Sequence, residues 1–247
     1  MEAAHLAQAE TGLTIAFVAG ATGYTGREVV RALRTRDVET VAHVRPDSPQ
    51  LPEWRRRFEG LGARVDTTPW QPAPLAATLS TLRPEVVFAL LGTTRARARR
   101  ARATGVGDAG YEAIDYGLTM LLLNAARDCG SRPRFVYLSA VGARETTRNA
   151  YLAVRARVER TLRGGELPYT IVRPSFITGP DRDDFRLGER IGARVVDGVL
   201  SVLGLVGGRR LRERYRSTSN VVLAAGLVRV GLDPGYANRT VESEELR

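Results

Sequence analysis

The sequence predicts an α/β fold built on a doubly wound parallel sheet. Three observations carry that expectation: apolar β-rich runs alternate with longer amphipathic segments, no linker separates them, and the first run, 13–19 (LTIAFVA), is apolar throughout and ends at a glycine. A continuous apolar run reads as a strand covered on both faces, the situation in parallel sheets with helices on either side. Strands alternating with helices and joined directly are successive βαβ units of one sheet.

The elements follow in order. Residues 24–36 form a helix with Val29, Val30 and Leu33 on one side. A second strand is expected at 40–44, a short helical piece at 54–58 and a third strand at 63–66. A helix over 75–82 leads into a fourth buried strand at 85–91 (EVVFALL). The stretch 112–128 is a long helix whose broad apolar face suits a sheet, and 134–139 (RFVYLS) is a fifth strand. A helix over 151–163 and a sixth strand at 169–172 complete the alternation. Past Arg173 the rhythm loosens. Residues 175–216 mix Gly, Pro and charge unevenly and are expected to form a small C-terminal lobe over the substrate, before a last helix at 221–232. The expected organisation is one domain over 13–247 behind an N-terminal tail, 1–12.

The 247 residues, 43% of them hydrophobic, suffice for one well-buried core. All 37 basic residues are Arg, and with 27 acidic residues the net charge is +10. That balance favours anionic ligands, so nucleic acid has to be weighed. The Arg residues are spread along the whole chain, as a coding bias on a solvated surface would leave them, and nucleic acid is disfavoured. The densest run, 95–102 (RARARRAR), has no aromatic residue interleaved for stacking on bases. A solvated basic segment, a mobile lid or a clamp for an anionic substrate all fit it. Cys129 is the only cysteine, so an internal disulfide is ruled out and a reducing compartment is indicated. His5 and His43 are the only histidines, neither has a triad setting, and no metal site is expected. No secretory signal is legible and no apolar run nears the roughly 20 residues that span a bilayer, which points to a cytoplasmic protein.

The chemistry concentrates first at Gly20-Ala-Thr22-Gly23-Tyr24-Thr25-Gly26, between the first strand and the first helix. Glycines there let the backbone turn tightly and approach a pyrophosphate without a Cβ. The following helix offers its unpaired N–H groups and the positive end of its dipole to phosphates. That placement predicts a nicotinamide dinucleotide. Cofactor choice is read at the end of the second strand, where an acidic residue would bind the adenosine ribose and favour NAD. Here Arg45 follows the strand and no acid does; Asp47 comes two residues later and is expected to cap the next segment. Arg45 can pair with a 2′-phosphate, assisted by Arg27, so NADP(H) is favoured over NAD(H). The alternative for Arg45 is a solvated loop residue.

The ordered motifs GATGYTG (20–26), LLGTTRARA (90–98), AIDYGLTMLLLNAAR (113–127), YLSAVGA (137–143), YLAVRARVE (151–159) and VRPSFITGP (172–180) resemble the atypical branch of the short-chain dehydrogenases/reductases. The pattern is similar to the Tat-interacting-protein-like oxidoreductases and their NmrA-like cousins, from about residue 13 to 185. The resemblance implies a Rossmann fold and a Ser–Tyr–Lys reaction site. It makes Ser139 the hydrogen-bond donor to a substrate carbonyl and Tyr151 the general acid. The residue four after the tyrosine, one helical turn along, would hold the nicotinamide ribose and assist the tyrosine by its charge. That residue is Arg155, not lysine. Arginine keeps the charge but does not readily lose a proton, and its planar fork needs different space. The substitution fits either drift in a lysine-free chain or a relative that binds cofactor without turnover. The resemblance further places Gly92 and Thr93 along the cofactor, Pro174 and Ser175 near the nicotinamide carboxamide, and Asp115 where relatives carry a helix Asn.

Two function classes follow. One is an NADP(H)-dependent oxidoreductase acting on a carbonyl, enone or quinone-like small molecule. The other is a non-catalytic NADP(H)-binding redox-sensing regulator or assembly partner. An isomerase or dehydratase that uses the cofactor transiently stays open as a third reading, and a homo-oligomer is open under all of them.

Overall fold

Strand β1 (Ile15–Ala19) is apolar throughout because both its faces are covered: Ala16 and Val18 join one core, Phe17 and Ala19 the other. The computed structural model describes residues 14–92, 111–175, 177–178 and 218–246. After β1 come α1 (Gly26–Arg34), β2 (Glu39–His43), α2 (Leu51–Glu59), β3 (Arg64–Asp66), α3 (Pro72–Leu82) and β4 (Val86–Ala89). A π-helix (Tyr111–Leu118) runs into α4 (Thr119–Asp128), followed by β5 (Arg134–Leu138), α5 (Ala150–Arg163) and β6 (Tyr169–Arg173). Two short strands, β7 (Ile177–Thr178) and β8 (Thr218–Ser219), pair with each other, and α6 (Asn220–Leu232) and β9 (Arg239–Glu242) close the order.

Seven strands form one parallel sheet in the order β3-β2-β1-β4-β5-β6-β9. Helices α1 and α6 cover one face through Val29, Val30, Leu33, Leu223 and Leu227. Helices α3, α4 and α5 cover the other through Leu75, Leu79, Leu122, Val158 and Leu162. This is the expected doubly wound Rossmann fold. The chain reverses its direction of travel across the sheet between β1 and β4, which opens a crevice at the carboxyl ends of the strands, where such folds bind ligands.

Several elements start or end differently from the sequence reading. Helix α3 begins three residues early, because Pro72 and Pro74 suit a first turn whose N–H groups have no intrahelical partner. The expected helix over 112–128 is two segments, with π-helical winding up to Leu118. Strand β9 was not anticipated: only Val241 of its four residues is buried, so the RTVE stretch carries little apolar signal. Asp47 does not cap α2, whose N-cap is Gln50; the carboxylate pairs with Arg45 instead. Thr93, the Arg run 95–102 and nearly all of the expected lobe, 175–216, lie outside the described residues.

Candidate functional site

The glycine turn links β1 to α1, as the sequence predicts. Gly20 adopts a φ of 81°, and a Cβ on it would sit 2.6 Å from the Leu90 carbonyl oxygen at the end of β4. A Cβ on Gly26 would overlap the Gly20 carbonyl oxygen. The turn is therefore closed so tightly that both positions exclude a side chain. Gly23 donates its N–H to Gly20 O (3.0 Å), Thr22 and Tyr24 are half-buried at the rim, and Thr25 is buried at the start of α1. Asn220, at the start of α6, donates from Nδ2 to Tyr24 O (3.2 Å) and braces the turn from the far end of the sequence. A tight, Cβ-free bend leading into a helix N-terminus fits a dinucleotide pyrophosphate.

Beside the turn, Arg45 follows β2 and is half-exposed, in an ion pair with Asp47 at 3.2 Å. His43, the last residue of β2, is buried, with Nε2 2.8 Å from Thr68 O and its ring edge-on to Trp70. Burial holds its pKa below the ordinary histidine value, against the opposing pull of Thr68 and Asp66.

Tyr151, Arg155 and Glu159 lie at successive i, i+4 positions of α5, so they share one face of the helix. The Arg155 guanidinium carbon is 5.0 Å from the Tyr151 ring centroid and 5.4 Å from that of Tyr137. Each terminal nitrogen of Arg155 serves two acceptors. Nη1 donates to Leu138 O (2.7 Å) and to the Tyr137 hydroxyl (3.1 Å), and Nη2 to Asp115 Oδ1 (2.7 Å) and Leu91 O (3.1 Å). The ribose-holding role expected of Arg155 therefore has only Nε–H left to serve it, and that atom is buried without a partner. Burial opposes the charge, but Tyr137, Tyr151 and Asp115 outweigh it and raise the Arg155 pKa. Burial pushes the Tyr137 hydroxyl up to about 12, with Arg155 pulling the other way.

Ser139 continues β5 and donates its hydroxyl to Glu159 Oε1 at 2.6 Å. The same carboxylate accepts from Arg173 at 2.5 Å and from Arg163 at 2.8 Å. Burial works against ionisation of Glu159, but its hydrogen bonds from Arg173 and Ser139 prevail and hold its pKa below the ordinary value. A serine hydroxyl has one proton to give. In this arrangement the Ser139 hydroxyl hydrogen is directed at Glu159 rather than at a substrate carbonyl.

Of the remaining expected positions, Gly92 meets this centre, Pro174 and Ser175 follow β6, and Thr93 lies outside the described residues. Gly92 lies in the segment after β4, and a Cβ there would lie 2.8 Å from Arg155 Nη2. Pro174 O accepts from Val141 N (3.0 Å), and Ser175, buried, accepts from the Ser243 hydroxyl (3.0 Å). Sequence reasoning missed Tyr137 and Glu159. The i, i+4 spacing from Arg155 signals Glu159, and the alternation of β5 puts Tyr137 on the face of Ser139.

A model of the NAD(P)H-binding family matches residues 20–225, most of the chain. The chain belongs to the NAD(P)H-binding family. The protein FMP52 of Debaryomyces hansenii is 31% identical over 166 residues, 66% of this chain and 67% of that protein. A ceramide reductase of Caulobacter vibrioides is 29% identical over 164 residues, 66% of this chain but 46% of that protein. A UDP-glucose-4-epimerase of Stenotrophomonas maltophila, solved with bound NAD, shares the fold at a TM-score of 0.62 with 14% identity, over 93% of this chain and 76% of that one. The resemblance to the atypical short-chain dehydrogenases/reductases and the nicotinamide cofactor class both hold. The cytoplasmic location expected from the sequence does not: the FMP52 relative is named a mitochondrial protein, which overturns that expectation. Among the described residues, no helix is long and apolar enough to cross a membrane.

Proposed function

We propose that this family member is an NADP(H)-dependent oxidoreductase that reduces a carbonyl, enone or quinone-like small organic substrate, with Tyr151 as the proton donor. The observation that carries the reading is Tyr151 in the first turn of α5 with the Arg155 guanidinium 5.0 Å from its ring. A cation held there favours developing negative charge on the phenol oxygen, as a proton donor requires. A bound nicotinamide would supply the hydride. Gly20, Gly23 and Gly26 would receive its pyrophosphate, with Thr22, Tyr24 and Thr25 around them. Gly92, Thr93, Pro174 and Ser175 would border the rest of the cofactor, and 175–216 would set substrate specificity. The name of the Caulobacter relative supports a reductase.

Arg45 supports NADP(H) over NAD(H). Its ion pair with Asp47 is exposed, so it is worth at most about 1 kcal/mol and leaves the guanidinium able to turn to a 2′-phosphate. NADPH oxidation over a panel of aldehydes, ketones and quinones, repeated with Tyr151→Phe, tests the proposal. Turnover that survives the substitution removes Tyr151 as the acid.

A second reading has its own observation in favour. Ser139 spends its proton on Glu159, and Arg155 spends four N–H bonds on the protein. Both commitments suit a non-catalytic NADP(H)-binding regulator or assembly partner. Tight NADPH binding with no turnover across the panel would decide for it.

A further inference from the structure

Arg155 and Asp115 bury opposite charges against each other at 2.7 Å, with side-chain exposures of 5% and 0%. Asp115 reaches Arg155 from the π-helix, a winding that changes which side chains face inward relative to an α-helix over the same residues. The Asp115 carbonyl accepts from Thr119 Oγ1 at 2.7 Å, which fixes that segment where it passes into α4. Gly92 leaves room for the pair, since a Cβ there would meet Arg155 Nη2 at 2.8 Å and Asp115 Oδ1 at 3.5 Å. The guanidinium is thus anchored by β5, the π-helix and the segment after β4, and it lies against Tyr151.

A cation and an anion 2.7 Å apart act on a third group as a dipole rather than as a full charge. Among the described residues, the ionisable groups around Arg155 are Asp115 from the π-helix, Tyr137 from β5 and Tyr151 from its own helix. Tyr111, also from the π-helix, meets the Tyr151 ring at 5.6 Å.

We propose that Asp115 is a positioning residue of this site: it locks the Arg155 guanidinium against Tyr151 and damps the positive charge that Tyr151 feels. The inference takes its catalytic meaning from the reading of Tyr151 as the proton donor. It also gives the arginine a reason to work where a lysine would not, because a planar fork with four donors can be immobilised by fixed acceptors while an ammonium on a flexible stem cannot. Arg155 is then a fixed charge rather than a ligand for the ribose.

The test is an ultraviolet titration of tyrosinate on the full chain, with the Tyr151 contribution isolated by subtracting Tyr151→Phe. Asp115→Asn leaves the cation unopposed and is expected to lower the Tyr151 midpoint by about one pH unit. The same step made on Arg155→Lys, whose ammonium needs fewer acceptors, is expected to move the midpoint in the same direction. Thermal unfolding and NADPH fluorescence identify the folded variants. A midpoint that stays put or rises in a folded Asp115→Asn background overturns the proposal. So does loss of folding on adding Asp115→Asn to both wild type and a folded Arg155→Lys, since the aspartate is then purely structural. A wild type that binds NADPH but reduces nothing defeats the catalytic reading of Tyr151, while the titration still decides whether Asp115 governs its charge.

Discussion

The Ser139 hydroxyl donates a hydrogen bond to Glu159 Oε1 at 2.6 Å, so the serine just after β5 and the glutamate two turns beyond Tyr151 form one buried unit. With Arg173 and Arg163 on the same carboxylate, the unit ties β5, β6 and α5 together, and Arg173 extends it to Glu242 on β9.

Ser139 and Tyr151 are therefore expected to respond differently to substitution. Tyr151→Phe should lower kcat/KM by about 100-fold or more, the usual effect of removing a general acid. Ser139→Ala should lower it by less than about tenfold, while costing about 1–2 kcal/mol of stability through the lost charge-assisted hydrogen bond. Steady-state kinetics and urea midpoints on both variants check this, and equal losses of kcat/KM would refute it.

Glu159 should give the protein an acid-sensitive stability. Its folded pKa lies below the ordinary value, so the unfolded chain binds more protons through that interval and stability rises with pH there. The contribution is complete above the unfolded carboxylate value and is lost as pH falls toward the folded one. Glu159→Gln should cost about 2 kcal/mol at pH 7, since Ser139, Arg173 and Arg163 lose a fully buried, charged acceptor. The cost should shrink in acid. Urea unfolding of both proteins at pH 7 and at pH 3 to 4 measures it; a gap that is constant across pH would contradict the assignment.

Gly26→Ala should abolish cofactor binding. The new methyl would overlap the Gly20 carbonyl oxygen, backbone that cannot move without opening the turn. The overpacking should cost about 1–3 kcal/mol. NADPH fluorescence titration and a thermal melt provide the readout, and a variant that binds like wild type would remove the turn as the pyrophosphate site.

Asp47 competes for the Arg45 guanidinium at 3.2 Å. Asp47→Asn should therefore tighten NADPH by about two- to fivefold, the scale of an exposed ion pair, and leave NADH unchanged. Raising the salt should narrow the difference. Calorimetry with both cofactors would show it, and equal gains for NADPH and NADH would mean that Arg45 does not meet a 2′-phosphate.

Much of the fold was legible because two-sided burial writes itself into β1 and β4 as unbroken apolar runs, and because glycine is required where the turn leaves no room for a Cβ. Strand β9 was not legible. Its place is set by partners distant in sequence, with Asn238 just before it accepting from Tyr169 N and its own Glu242 meeting Arg173, rather than by an apolar pattern in its four residues. At the candidate site, the order of motifs located Ser139, Tyr151 and Arg155 but not what their donors face. The crossing of α5 over β5, which sends Ser139 to Glu159 and Tyr137 to Arg155, is a tertiary angle with no local signature. Nor does spacing show that residues 111–118 wind as a π-helix, which decides where Asp115 points.

Helix α6 covers the face of the sheet that α1 shares, and its Asn220 braces the glycine turn from 196 positions downstream. A ribosome delivers residues in order, so a nascent chain halted before position 220 would carry the binding turn without its brace and half of one core without its cover. Unfinished chains would display Val29, Val30 and Leu33 to chaperones, while completed ones hide them.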